Sequence, residues 1–269
     1  MDYLLLLAVG LVGGFLAGLL GIGGGVVYVL ALPYLLLNMG FPLEELVSYT
    51  IANSIVGNLF ASLSVNVTNI RKKQFYFKEV FWVGAFAAIS SILLTKFFVN
   101  EGGYSQVAFN LAIIVLMALS IYSTLKQNLK KNKKDERDMS APTAATTGTV
   151  AGSIAALSGL GGGVVIVPIM NSIFRMDMFK AKSISMGVIF ITALSLTILN
   201  LIERPIIDYQ NQSIGYIVIP LALIISMGVA IGSVFGVKVA QRLSNQTISL
   251  IFVVFLLIVI IDKLSQLVL

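Results

Sequence analysis

The sequence predicts an all-α polytopic membrane protein made of two inverted-topology repeats, each a glycine-broken helical hairpin followed by three transmembrane helices. Three observations predict it. The 269-residue chain is 58% hydrophobic and only 11% charged, with a mean hydropathy of +0.97, whereas soluble globular chains are about one quarter charged. A glycine break occurs twice in apolar sequence, as Gly21-Ile22-Gly23-Gly24-Gly25 and Gly159-Leu160-Gly161-Gly162-Gly163, and a proline follows each, at Pro33 and Pro168. Most lysines and arginines fall in loops that this element order collects on one side.

Residues 3–20 form a first arm that ends at the first break. Residues 26–37 form a second arm, which rises only ~18 Å as helix. It stops at the turn signal Asn38-Met39-Gly40-Phe41-Pro42. A pair whose second arm is this short enters and leaves by one face. Spans follow at 46–68, 79–98 and 104–125, closing a first repeat over 1–125. The segment 126–142 is a basic linker carrying Lys130, Lys131, Lys133, Lys134 and Arg137. The second repeat, 143–269, starts with arms at 143–158 and 164–174 and continues with spans at 183–201, 213–237 and 247–265. Gly84 and Ala88 in one repeat, and Gly228, Gly232 and Gly236 in the other, have the spacing of close helix packing.

Charge orients the chain. With 71–78, 126–138, 175–182 and 238–242 on one side, that side receives fifteen of the eighteen Lys and Arg. The positive-inside rule makes it cytoplasmic and puts both termini outside. The count works only if each broken pair returns to its starting side, so it supports the hairpins independently of length. The same order of elements then occurs twice with opposite orientation, the architecture expected of secondary transporters.

The net charge of +6 is thus a property of loops in a bilayer and predicts no nucleic-acid partner. With no Cys and no His, disulfides, thiolate chemistry and the usual soft-metal sites are absent. No paired carboxylates or nucleophile–base set falls at bilayer depth, so neither catalysis, a metal nor a cofactor is expected. No Asp, Glu, Lys or Arg is required at mid-membrane. What remains is backbone amide and neutral side chains. Each second arm restarts a helix near Gly25 or Gly163, and the unpaired amides of a helix start suit an anion. Thr50, Asn53 and Asn58 supply candidate donors from the first repeat, and Ser185 and Thr192 from the second. Tyr28 follows the first break with no hydroxyl counterpart after the second, so the two halves are chemically unequal.

The runs Ala17-Gly18-Leu19-Leu20-Gly21-Ile22-Gly23-Gly24-Gly25 and Leu157-Ser158-Gly159-Leu160-Gly161-Gly162-Gly163-Val164-Val165-Ile166-Val167-Pro168 resemble the duplicated signature of the sulfite exporter TauE/SafE family, also described as transmembrane anion permeases. The resemblance covers essentially the whole chain. It implies export of a small sulfur-containing anion such as sulfite, sulfoacetate or a related organosulfonate. It also implies a multi-pass protein of the bacterial or archaeal inner membrane, with protons a candidate coupling ion and self-association a candidate assembly state. The family's glycine motifs carry over to Gly21, Gly23, Gly24 and Gly25 and to Gly159, Gly161, Gly162 and Gly163, and its small hydroxyl residues to Thr50 and Ser185. The chain departs from the pattern in the first half, where Tyr28-Val29-Leu30 stands in place of Ile166-Val167-Pro168. Alternating access of the repeats is the leading mechanism. An anion channel is the alternative, and a non-transporting scaffold ranks behind it.

Overall fold

The breaks, prolines and apolar runs divide the chain into ten α-helices in a computed structural model that describes residues 3–128, 138–205 and 213–268. They are α1 (Tyr3–Leu20), α2 (Gly25–Asn38), α3 (Leu46–Arg71), α4 (Phe77–Leu94), α5 (Gln106–Asn128), α6 (Ala141–Ser158), α7 (Gly163–Ser172), α8 (Met178–Ile202), α9 (Ile219–Ala240) and α10 (Asn245–Val268). Among the described residues, seven helices are long and apolar enough to cross a membrane: α1, α3, α4 with its extension to Asn100, α5, α8, α9 and α10. The protein is an all-α polytopic membrane protein. Part of the linker predicted over 126–142, and the loop 206–212, lie outside the described residues.

Two local expectations are corrected. The span expected over 213–237 begins only at Ile219, because residues 213–218 form a small hairpin, β1 (Ser213–Ile214) paired antiparallel with β2 (Ile217–Val218). Gly215 makes its turn at φ +59, close against the Asn200 carbonyl, and Tyr216 N–H donates to that carbonyl at 2.9 Å. The loop expected after 98 is helical: α4 runs on through a π-helical turn, Thr95–Gly103. Gly84 is closely packed, as its spacing predicts, against α8, where a Cβ would meet Ile191 at 2.5 Å.

Two seams of small residues set the packing. Gly10, Gly14 and Gly18 of α1 lie against the carbonyls of Ile225, Val229 and Ser233. Gly228, Gly232 and Gly236 of α9 lie reciprocally against those of Leu7, Leu11 and Phe15. The contacts advance together, so α1 and α9 run parallel. The second seam joins α6 to α4 in the same sense, with Gly148 and Gly152 against the carbonyls of Val83 and Ala87. Gly236→Val is expected to cost at least about 2 kcal/mol, because its Cβ would meet backbone that cannot rotate away. Thermal unfolding of purified protein checks this.

α3 is the most buried of the seven, with α8 next, and both pack at the centre. The periphery is apolar. Leu111, Val115, Leu119 and Tyr122 of α5 and Leu250, Val254, Leu257 and Ile261 of α10 are exposed in rows about one turn apart, faces that suit the hydrocarbon of the bilayer.

Candidate functional site

The two glycine breaks meet each other. After α1 the chain turns through Gly21 (φ +72) and Gly23 (φ +81), and after α6 through Gly159 (φ +68), Gly161 (φ +75) and Gly162 (φ +75). These left-handed conformations are open to glycine and strained for most other residues. A Cβ at Gly25 would lie 2.7 Å from the Gly159 oxygen and 2.8 Å from Leu160 Cα. A Cβ at Gly163 would lie 2.7 Å from Ile22 Cα and oxygen. Each helix start is therefore pressed on the turn of the other break.

The junction lies beside the middles of α3 and α8. There Asn58 Oδ1 accepts from Gly25 N–H at 2.7 Å, and Asn58 Nδ2 donates to the Gly159 carbonyl at 2.9 Å. Ser54 Oγ donates to the same carbonyl at 2.8 Å. Asn58 thus ties the two breaks together. Ile189 of α8 takes the opposite position, against Gly161 and Gly163.

The other sequence-predicted residues divide into three kinds. Tyr28, Thr50 and Ser185 are buried with hydroxyls that have no hydrogen-bond partner among the described residues. The Tyr28 ring fits a cradle made by Gly13, Gly24 and Gly57, where a Cβ at any of the three would strike it. Thr192 bonds within its own helix, donating to the Val188 and Ile189 carbonyls. Asn53 is committed elsewhere: Oδ1 accepts from Val218 N–H at 2.9 Å, and Nδ2 donates to Tyr216 O at 3.0 Å and Tyr49 O at 2.8 Å. It holds the β-hairpin down.

A cavity of about 400 Å³ reaches the first break. Gln74, Asp177, Phe179 and Gln241 form an exposed rim, and Gly18, Gly21, Lys182 and Ser183 a buried floor. The rim belongs to the face that carries Arg71, Lys72, Lys238 and Arg242, hereafter the basic face. Toward the other face the core is filled by buried aromatic rings set edge to face, with Phe41–Tyr49 centroids 4.7 Å apart and Tyr49–Tyr216 centroids 5.2 Å apart. Tyr216 Oη donates to Glu45 Oε1 at 3.2 Å. Burial, then the adjacent Glu45 carboxylate, push the Tyr216 phenol well above its ordinary range, so it stays a neutral donor.

Lys182 is the residue that sequence reasoning missed. Counted among loop charges, it lies instead in the second turn of α8, which Asp177 caps by accepting from Phe179 N–H. It is buried against Gly21, and its Nζ donates to the Leu19 carbonyl at 2.9 Å. The signal was local: a capping Asp five residues upstream puts this lysine inside the helix, not before it.

A family model described as sulfite exporter TauE/SafE matches residues 5–262. The chain belongs to that family. Curated relatives of this TauE/SafE chain include a probable membrane transporter protein of Methanocaldococcus jannaschii, 27% identical over 89% of this chain and 87% of the relative. A second, from Haemophilus influenzae and of the same description, is 24% identical over 96% of this chain and 97% of the relative. The probable membrane transporter protein YunE of Bacillus subtilis is 21% identical over 96% of each. No solved structure matches. Family and fold together support a membrane anion-transporter role for this TauE/SafE protein. Among the described residues, no group of three or more acidic side chains could hold a metal ion.

Proposed function

We propose that the protein exports a small sulfur-containing oxyanion, of the sulfite, sulfoacetate or organosulfonate class, by alternating access of two inverted repeats. The observation that carries this reading is the one-sided cavity, which is open from the basic face down to Gly21 and closed opposite by Phe41, Tyr49 and Tyr216. A site that one face reaches and buried aromatic rings shut from the other is the arrangement a carrier needs, and it favours a carrier over a channel.

Reciprocal contacts support the repeats. Gly21 faces Lys182 as Gly159 faces Ile51, and Gly25 meets Gly159 and Leu160 as Gly163 meets Ile22. Gly23 and Gly161 both meet the pair Asn58 and Ile189. The seams repeat the relation, since α1 packs on α9 as α6 packs on α4. Exchanging 1–125 with 143–269 maps this set of contacts onto itself. The basic face is then cytoplasmic, by the charge of its loops.

In this reading the substrate lies against the glycine breaks and receives hydroxyls from Tyr28, Thr50 and Ser185, whose donors are unspent in the protein. Efflux of sulfite and of sulfonates from proteoliposomes tests the function. Saturable, substrate-selective flux without single-channel currents is expected, and flux that does not distinguish anions would overturn it. Tyr28→Phe should leave thermal stability unchanged, since the hydroxyl has no bond to lose. It should raise the half-saturation concentration about tenfold, the value of one hydrogen bond to a charged ligand. An unchanged value would remove Tyr28 from the site.

A further inference from the structure

We propose that Lys182 is the counter-charge that captures the anion from the basic face, and that the isoleucine at the equivalent position of the other repeat, Ile51, makes capture one-sided. The assignment rests on the transport reading above.

The argument begins with an ammonium in an expensive place. Lys182 is 7% exposed and sits on a helix that crosses the membrane. No carboxylate lies within ion-pair distance of it among the described residues, whereas Lys180, in the same cavity, pairs with Glu79 at 3.8 Å and lies 5.0 Å over the Tyr76 ring. Asp177, the acidic group of this cavity, accepts from Phe179 N–H and acts on Lys182 through its field, from beyond ion-pair distance. An ammonium has three donors. One is spent on Leu19 O, and the ring of Phe179 lies 5.8 Å from Nζ.

A lysine capping the end of a helix explains the bond to Leu19, because the last carbonyls of α1 lack amide partners. α1 ends inside the protein, with Leu19 only 2% exposed, so capping accounts for the burial as well. It leaves two of the three donors at the floor of the 400 Å³ cavity, beside a glycine whose missing side chain makes room for the lysine stem. An oxyanion entering the cavity supplies the missing acceptors and the missing charge at once. Val65, Met186 and Val237 form the apolar wall beside it, so the ligand class is a compact anionic group, sulfite or sulfonate, with at most a short organic tail.

The repeat relation gives the second half of the proposal. Gly21 is met by Lys182 and Gly159 by Ile51. When the repeats exchange roles, the cavity opening on the opposite face has isoleucine where this one has lysine. The anion therefore binds more tightly from the basic face and leaves more readily to the other. Such an asymmetry sets the half-saturation on each side and does not itself drive net flux, which the membrane potential or a coupled ion must supply.

The natural absence of cysteine makes the test direct. Lys182→Cys introduces a single thiol into reconstituted full-length protein. Treatment of the same folded sample with 2-aminoethyl methanethiosulfonate restores a cation, and treatment with methyl methanethiosulfonate restores only bulk. For sulfoacetate, which unlike sulfite does not cleave the mixed disulfides formed by these reagents, presented at the basic face, the unmodified variant should show a half-saturation raised roughly thirtyfold or more. The aminoethyl adduct should recover most of the loss and the methyl adduct none, with little change at the opposite face. Equal kinetics in variant and wild type, or equal recovery by both adducts, overturns the proposal while leaving the transport reading intact. Wild-type protein that moves neither sulfite nor sulfoacetate overturns both. Should Lys182→Cys not fold, sulfoacetate must protect Lys182 of the wild type from a small amine reagent applied at the basic face, read by mass spectrometry; unprotected labelling overturns the assignment.

Discussion

Gly25→Val is expected to abolish both flux and accumulation of folded protein. The first atom of any side chain at Gly25 would lie 2.7 Å from the Gly159 oxygen, 2.7 Å from Asn58 Nδ2 and 2.8 Å from Leu160 Cα. Two of the three are backbone, so no rotamer change relieves the clash, and the breaks must separate. Gly163→Val meets the same obstacle at Ile22. A loss of several kcal/mol follows from overpacking against main chain plus the rupture of the hydrogen bonds beside it, enough to exceed the margin of many proteins. Size-exclusion profiles of the membrane-extracted protein check folding, and proteoliposome flux checks function. Gly25→Val with a wild-type profile would mean that the breaks do not touch. The neighbouring glycines fail for other reasons. A Cβ at Gly24 would strike the Tyr28 hydroxyl at 2.5 Å, and one at Gly162 would meet the Ala151 carbonyl at 2.6 Å in a left-handed conformation.

Asn58→Leu is expected to be the most damaging side-chain change at the site. Leucine branches at the same carbon but neither donates nor accepts, so the loss is chiefly chemical. Gly25 N–H becomes a buried donor without an acceptor, and Gly159 O keeps only Ser54. The unpaired donor and lost bonds cost about 2–4 kcal/mol, which lowers the thermal midpoint by on the order of 5–10 °C in a chain of this size. Flux should fall more than the stability loss explains, because the two breaks are no longer held together where the proposed substrate path ends. Asn58→Asp separates the two bonds: it keeps the acceptor for Gly25 but sets a carboxylate oxygen against Gly159 O. Flux near wild type in Asn58→Leu would show that the tie is dispensable.

Where the backbone itself carries the signal, the sequence was legible. Arms read as 3–20 and 26–37 occur as Tyr3–Leu20 and Gly25–Asn38, and those read as 143–158 and 164–174 as Ala141–Ser158 and Gly163–Ser172. The triple glycines interrupt the helix, whereas the pair Gly13-Gly14 is carried inside α1. Side chains were less legible. Asn53 and Asn58 look alike as intramembrane amides, yet one ties the β-hairpin to the core and the other ties the breaks. Lys182 read as a loop charge because the Asp177 cap was overlooked, and its bond to the end of α1 was not legible at all, since that carbonyl comes from the opposite half of the chain. The β-hairpin escaped notice because Ile217, Val218 and Ile219 are as apolar as the helix they precede.

The sequence by itself determined that this is a multi-pass helical membrane protein with two helix-breaking turns and a strongly basic set of loops. Hydropathy, glycine runs and charge are properties of contiguous residues, so they need no knowledge of neighbours. Only the tertiary structure decided that the turns press on one another, that Asn58 joins them, and that a buried lysine floors the cavity on one face. Each of these depends on which groups from distant segments are left to satisfy a buried amide, carbonyl or charge, and spacing along the chain does not encode that.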